Sequence, residues 1–331
     1  MNQEAQQNPL ISVGLPVYNG ENYLAKTILS ILNQTFTNFE LIICDNASTD
    51  RTQEICEQFA RQDSRIRYMR NERNLGAGPN YDLAFERSRG AYFKWAAHDD
   101  MLAPTYLEKT AAVLNARPDV AMCSTGITEI GPDDEIMRSY VNYMPGSDAP
   151  RPAERLAAVT HYRHQCEDFF GLYRRETLEG SDLHGLYSGS DRVLLAEAAL
   201  RGRVVLVDEP LFLHREHNQR YTRAVLLANR KKAIDWQDTS GKTKAVKAKL
   251  FHITVYKNLW RIVDKNIHDP AEKRACQIEL LRWWIKDDHI VDTIRDTLQN
   301  FAPQVYLVIQ KIKRSLFGEG SARRGDLTQT R

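Results

Sequence analysis

Apolar residues in the first half of the chain come in short runs separated by stretches of helical periodicity. The run Leu10-Ile11-Ser12-Val13-Gly14-Leu15 ends in Pro16-Val17-Tyr18-Asn19-Gly20, and Phe39-Glu40-Leu41-Ile42-Ile43 ends in Cys44-Asp45. Runs this short and this apolar mark strands buried on both faces. Strands are predicted over residues 10–17, 40–44, 66–69, 91–96 and 120–130, with helices over 21–34, 50–62, 79–89 and 104–116 between them. Strand–helix–strand alternation at this spacing predicts an α/β fold, a Rossmann-like, mostly parallel sheet flanked by helices. Parallel strands deliver their C-terminal turns to one edge, where folds of this class build nucleotide crevices. Asp45 ends one strand at that edge, and Asp99-Asp100 follows another.

The pattern loosens farther along. Residues 131–152 read as loop, with Gly-Pro-Asp-Asp and Met-Pro-Gly-Ser turns. A helix over 153–161, a strand over 168–173, a helix over 191–201 and a strand over 204–207 follow. Beyond about residue 221 strand signals vanish and helical patterns dominate. The expected organisation is a catalytic-type α/β domain over 9–220, a helical extension over 221–317 and a polar, disordered tail over 318–331. Ser48 and Asp50 are candidate caps for the second helix, and Pro104 suits the first turn of the fourth.

Composition narrows the class. The chain has 331 residues, 42% hydrophobic and 27% charged, as ordinary soluble enzymes do. A formal net charge of +2 gives no whole-chain field for nucleic acid. Cys44, Cys56, Cys123, Cys166 and Cys276 are odd in number and scattered, which argues against a disulfide framework or zinc site and for a reducing, cytoplasmic setting. Residues 1–8 lack the apolar core of a signal peptide, and no run reaches about 18 apolar residues, so no membrane-spanning helix is expected.

Several residues carry candidate chemistry. Asp45 reads either as a turn-forming Asx residue or as a carboxylate facing a base or ribose. Asp99 and Asp100 repel each other at a strand end; a divalent cation between a carboxylate and a diphosphate relieves this, and so does a solvated helix cap. The glycine-rich turn Asn74-Leu75-Gly76-Ala77-Gly78-Pro79-Asn80 is neither a Walker loop nor a dinucleotide fingerprint, yet its backbone can approach a phosphate or sugar. Asp191 opens a helical pattern and reads as a cap or as a pocket acid. His214-Arg215-Glu216-His217 follows an apolar run and offers two imidazoles to a metal or phosphate, or simply to solvent.

Together these stretches resemble the inverting family 2 glycosyltransferases of the GT-A fold. The resemblance rests on Ser12-Val13-Gly14-Leu15-Pro16-Val17-Tyr18-Asn19-Gly20, on Cys44-Asp45-Asn46-Ala47-Ser48-Thr49-Asp50, on the Asn74–Asn80 turn and on Gly90-Ala91-Tyr92-Phe93 leading to Asp99-Asp100. It covers roughly residues 9–220. It implies that Pro16, Tyr18 and Asp45 line the nucleotide, typically of a UDP-sugar, and that Asn74, Gly76 and Asn80 lie near the donor. It implies that Asp99 is the last acid of an Asp-x-Asp metal motif for Mn2+ or Mg2+, that Asp191 is the general base, and that His217 ends an Arg-x-His element near metal and diphosphate. The sequence departs from the pattern at Ala97, where the family motif usually begins with an Asp that often touches the ribose. The implied partners are a nucleotide-sugar donor and a glycan or lipid-linked saccharide acceptor, in surface polysaccharide biosynthesis.

Two readings compete. A sugar nucleotidyltransferase needs a basic glycine-rich loop after its first strand, and Pro16-Val17-Tyr18-Asn19-Gly20 has no basic residue. A non-catalytic nucleotide-sugar-binding module fits poorly with retention of Asp45, Asp99 and Asp191. The amphipathic basic stretch over 305–317 is read as a helix docked on the catalytic part or in a homo-oligomer contact, with a peripheral membrane contact as the alternative.

Overall fold

The computed structural model describes residues 8–162, 166–218, 220, 239, 251–286, 289–302, 304–309 and 311. The first half follows the predicted alternation: β1 (Ile11–Val17), α1 (Leu24–Leu32), β2 (Phe39–Asp45), α2 (Thr52–Gln62), β3 (Ile66–Arg70), α3 (Ala77–Glu86), β4 (Tyr92–Trp95), β5 (Met101–Leu102), α4 (Tyr106–Ala116) and β6 (Val120–Ile130). Then come β7 (Ile136–Tyr140), α5 (Pro152–His161), a 3₁₀ turn (Glu167–Phe170), β8 (Leu172–Arg174), α6 (Arg175–Leu178), α7 (Ser190–Arg201) and β9 (Arg203–Arg215). Three further helices, Phe251–Asn266, Pro270–Lys286 and His289–Phe301, follow.

The nine strands form one sheet in the order β3-β2-β1-β4-β8-β6-β9-β5, with β7 paired to β6. The pairs β3-β2, β2-β1, β1-β4 and β6-β9 are parallel, whereas β8 is antiparallel to both of its neighbours. Side chains alternate between the two faces, as period-two geometry requires. Ile11, Val13 and Leu15 join Leu24, Ile28, Ile31, Leu107 and Leu114 on the face covered by α1 and α4. Phe93 and Trp95 point the other way, into a core shared with α5, α7 and the C-terminal helices.

The C-terminal helices pack on this second face. Val255, Leu259, Ile262 and Val263 of the first and Cys276, Leu280 and Trp283 of the second are buried in the core of α5 and α7. Glu272 accepts a hydrogen bond from the Ala153 backbone N–H (2.8 Å), capping the start of α5, and pairs with Arg151 (3.1 Å). No described helix is long and apolar enough to cross a membrane. Of the stretch 305–317, the described part exposes Val305, Leu307, Val308 and Ile309, and the rest lies outside the described residues, as do the tail 318–331 and most of the expected boundary near 218–225.

Three expectations need correction. The predicted loop 131–152 contains β7, a five-residue strand exposed along most of its length (Ile136 is 74% exposed), whose apolar and polar residues do not alternate. The predicted strand 168–173 is a 3₁₀ turn and then a three-residue strand. The strand expected over 204–207 runs on through Pro210 to Arg215, because β6 shifts register beside Gly126 to accommodate the proline.

At the sheet edge opposite the strand C-termini, Glu40 is buried and accepts from Ser12 Oγ (2.7 Å), Arg67 (2.8 Å), and the Arg89 backbone (2.8 Å) and guanidinium (3.0 Å). Burial raises its pKa, but these donors outweigh that and hold it below 4.5. A carboxylate depressed in the folded state contributes stability above its unfolded pKa that is lost as pH falls through the folded value. Glu40→Gln should therefore destabilise by roughly 1–3 kcal/mol at pH 7. In melting curves from pH 7 to pH 3.5, its deficit against the wild type should narrow at the acid end.

Candidate functional site

Strands β1 and β2 end side by side, with Val17 opposite Asp45. The turns that follow are laced to each other. Asn19 N–H donates to Ser48 Oγ (3.0 Å), Thr49 N–H to Asn19 Oδ1 (2.8 Å), Gly20 N–H to Thr52 Oγ1 (2.8 Å) and Arg51 N–H to Glu21 Oε2 (3.1 Å). Ser48 thus serves the facing turn rather than capping α2, while Asp50 accepts from the first helical N–H, Thr52 (3.0 Å). Asp45 is fully buried and accepts from Ser48 N–H (2.8 Å) and Tyr68 Oη (2.8 Å), beside Arg70 (3.3 Å). Its turn-forming geometry is therefore present, with Tyr68 and Arg70 on the second oxygen. Pro16 is buried within β1, and Tyr18, 43% exposed, presents its ring at the strand end.

Asparagines hold the glycine-rich turn against this edge. Asn46 Nδ2 donates to Asn74 Oδ1 (3.0 Å) and the Gly76 carbonyl (3.0 Å), while its Oδ1 accepts from Leu75 N–H (2.8 Å) and Asn71 Nδ2 (3.1 Å). Asn80 donates to the Cys44 carbonyl (2.8 Å) and accepts from Asn71 (3.0 Å). Gly76, at φ +90° just before α3, takes a conformation open to glycine.

The turn after β4 carries the two adjacent acids, and they point apart. Asp100 turns inward: its Oδ1 accepts from the Arg215 N–H (2.9 Å) and lies 3.2 Å from His214 Nδ1. Asp99 turns outward, its side chain 13% exposed, with Oδ2 2.9 Å from His217 Nε2. Burial raises the Asp99 pKa, but the charge of His98 and the His217 hydrogen bond outweigh it and hold the group well below the usual carboxylate range. Arg215, fully buried, donates from Nε to the Asp99 carbonyl (2.8 Å). Histidine and backbone donors, rather than a cation alone, therefore relieve the repulsion anticipated between the two acids.

Asp99 and His217 fit a divalent cation. Donor atoms 2.9 Å apart match neighbouring ligands on an ion bonded at about 2.0–2.2 Å. Among the described residues no group of three His, Cys, Asp or Glu side chains forms a metal site. An ion here would take its remaining ligands from phosphate oxygens and water, the usual mode for magnesium in phosphate sites.

The 3₁₀ turn packs against α7, and the two carry further polar groups. Gly189, at φ +85°, turns the chain into α7, and Asp191 lies half-buried in its first turn, accepting from Arg192 N–H (2.9 Å). Ser190 Oγ meets His184 Nδ1 (3.2 Å), and His184 N–H donates to Asp82 (2.8 Å). Behind them Asn142 donates to Glu167 (3.2 Å) and Asp168 (3.0 Å); burial pushes the Asp168 pKa up to about 6. The sequence reading missed Asn142, Glu167, Asp168 and His184. No periodic signal marks them; only the left-handed Cys166 (φ +64°) flags the turn, and only in the structure.

The family model for glycosyl transferase family 2 matches residues 12–179. An uncharacterized glycosyltransferase of Haemophilus influenzae is 40% identical over 101 residues, 30% of this chain and 40% of its own. A Bacillus subtilis protein named for teichuronic acid biosynthesis, TuaG, is 33% identical over 134 residues, 40% of this chain and 53% of its own. The matches span only 33% to 40% of the length of the Rickettsia typhi, Rickettsia prowazekii and Haemophilus relatives. In fold, the chain is similar to S. aureus TarS 1-349, solved in complex with UDP-GlcNAc: TM-score 0.61 at 17% identity, over 83% of this chain and 72% of that one.

Because Asn46 fills all four of its hydrogen-bonding positions, Asn46→Ala should free the glycine-rich turn. Hydrogen exchange at Leu75 and Gly76 should accelerate by at least tenfold, and stability should fall by about 1–3 kcal/mol. Unchanged exchange there would show that the turn is held by something else.

Proposed function

The chain belongs to glycosyl transferase family 2, and from that premise we propose that it moves a sugar from a nucleoside diphosphate donor to a saccharide hydroxyl. The observation that carries this reading is the Asp99–His217 pair, 2.9 Å apart, beside the turns that end β1 and β2. A carboxylate and an imidazole there suit a diphosphate whose cation needs protein ligands on one side only. Manganese or magnesium at this pair supplies Lewis-acid stabilisation of the departing diphosphate.

The chain's own residues do the rest. The laced turns after β1 and β2, with Tyr18 exposed at their edge, receive the base and ribose; the Asn74–Asn80 turn lies over the donor. A uridine nucleotide is the favoured donor, in keeping with the UDP-GlcNAc complex of the fold relative TarS. Asp191 takes the proton of the acceptor hydroxyl as that oxygen attacks the anomeric carbon. Attack from the face opposite the diphosphate inverts the carbon and needs no covalent enzyme intermediate. The acceptor is a glycan or lipid-linked saccharide of a surface polysaccharide, a reading supported by relatives such as TuaG.

Thermal-shift measurements with UDP, GDP, dTDP and CDP, each with and without Mn2+, test the donor side. One diphosphate should raise the melting temperature by several degrees in the presence of Mn2+ only. Asp99→Ala should abolish that shift. Asp191→Asn should retain it and lose about 10²–10⁴-fold in transfer; near-normal transfer by Asp191→Asn would remove the base assignment.

A further inference from the structure

Tyr81 stands where three parts of the site meet. It follows Asn80, whose amide donates to the Cys44 carbonyl (2.8 Å) and fixes this turn of α3 at the end of β2. Its own carbonyl accepts from Trp95 Nε1 (2.9 Å), which ties the same turn to the strand leading into Asp99. Its ring packs on Phe169 (6.1 Å between centroids) and His184 (5.0 Å), and His184 meets the hydroxyl of Ser190, the residue before Asp191. The ring is thereby anchored to the nucleotide edge, the metal turn and the base helix at once.

The side chain is half-buried, and among the described residues its hydroxyl has no hydrogen-bond partner. Burial, followed by the carboxylates of Asp99, Asp100 and Asp191, raises its pKa above the usual phenol range. A phenol so placed keeps its proton at neutral pH. Among the described residues it is thus a hydrogen-bond donor without an acceptor, and the carboxylates of Asp99, Asp100 and Asp191 all bear on it electrostatically.

We propose that Tyr81 is a further catalytic residue of the transfer proposed above, on which this inference rests: its hydroxyl donates a hydrogen bond to the diphosphate oxygen that leaves the sugar. As the bond between the anomeric carbon and that oxygen breaks, the electron pair passes to the oxygen. The acceptor's proton passes to Asp191, and the phenol proton stays on Tyr81. The hydrogen bond strengthens as charge builds on the leaving oxygen, so it lowers the barrier more than it tightens substrate binding.

Tyr81→Phe removes the oxygen and leaves the ring contacts with Phe169 and His184 in place. The full chain and this variant are compared for melting temperature, for UDP binding with Mn2+, and for hydrolysis of UDP-GlcNAc, UDP-glucose and UDP-galactose with Mn2+. The expected result is an unchanged melting temperature, UDP affinity within about threefold, and kcat lower by about 10²-fold at little-changed KM, as for loss of one oxyanion donor. Wild-type kcat in Tyr81→Phe overturns the inference, and so does a fall in UDP affinity as large as the fall in turnover. Asp191→Asn run alongside separates the two levels: normal turnover in that variant overturns the underlying reading whatever Tyr81→Phe does. Hydrolysis of none of the three donors by the wild type overturns the uridine-donor reading and the inference with it.

Discussion

One buried guanidinium holds the turn after β4 together. Arg215 is fully buried, and a charge in that position destabilises the fold unless its donors are matched. Its Nε donates to the Asp99 carbonyl (2.8 Å), one terminal nitrogen donates to the carbonyls of Gly131 (2.9 Å) and Pro132 (3.3 Å), and the other pairs with Asp134 (2.6 Å). The Tyr23 ring covers the group at 4.6 Å. Segments far apart in sequence converge on one planar fork, which a lysine, with a single point charge, does not reproduce. Since the Arg215 backbone also donates to Asp100, the end of β9 is fastened to the turn twice. That double fastening is what brings His217 within 2.9 Å of Asp99.

The edge formed by the turns after β1 and β2 is built on different physics. There many neutral hydrogen bonds, each worth only about 1 kcal/mol net, act together on backbone that has left its strands. The groups used are those the turns would otherwise leave unpaired: the N–H groups of Asn19, Gly20, Thr49 and Leu75, and the Gly76 carbonyl. Asn46 suits its place because an amide both donates and accepts; aspartate accepts only. The left-handed Asn19 (φ +52°) and Ala47 (φ +61°) lie in these same turns. Strain of that kind persists only where the surroundings over-determine it, and the reciprocal bonds do so.

The sheet was legible in the sequence because its strands are buried on both faces and leave continuous apolar runs. β6 was predicted with the bounds it has, whereas β7 and most of β9 were not. β7 is exposed along most of its length, and β9 carries Asp208, Glu209 and Pro210 in mid-strand, which local pattern reads as a break. The candidate residues were legible as motif positions but not as partners. Nothing local distinguishes Asp99 from Asp100, yet one faces His217 and the other the Arg215 backbone. Tyr81 carried no signal at all, because its place is set by Phe169 and His184, about a hundred residues away in the chain.

The departure from the family pattern at Ala97 changes the electrostatics of this turn. A third acid is missing, and the next residue, His98, packs over Gly20 so closely that a Cβ there would lie 2.8 Å from the imidazole. A side chain at this position would meet both that imidazole and the Val17 side chain, 2.7 Å away. Burial lowers the pKa of His214, but Asp100 outweighs it and raises the group above its ordinary value. His98 and His217 both bear on Asp99, Arg215 donates to its carbonyl, and His214 faces Asp100, so each carboxylate of this turn is met by nitrogen-bearing side chains. Under the proposed function, an edge that receives a diphosphate must not repel it before a cation arrives. Here hydrogen-bonding imidazoles and a buried guanidinium surround both remaining acids.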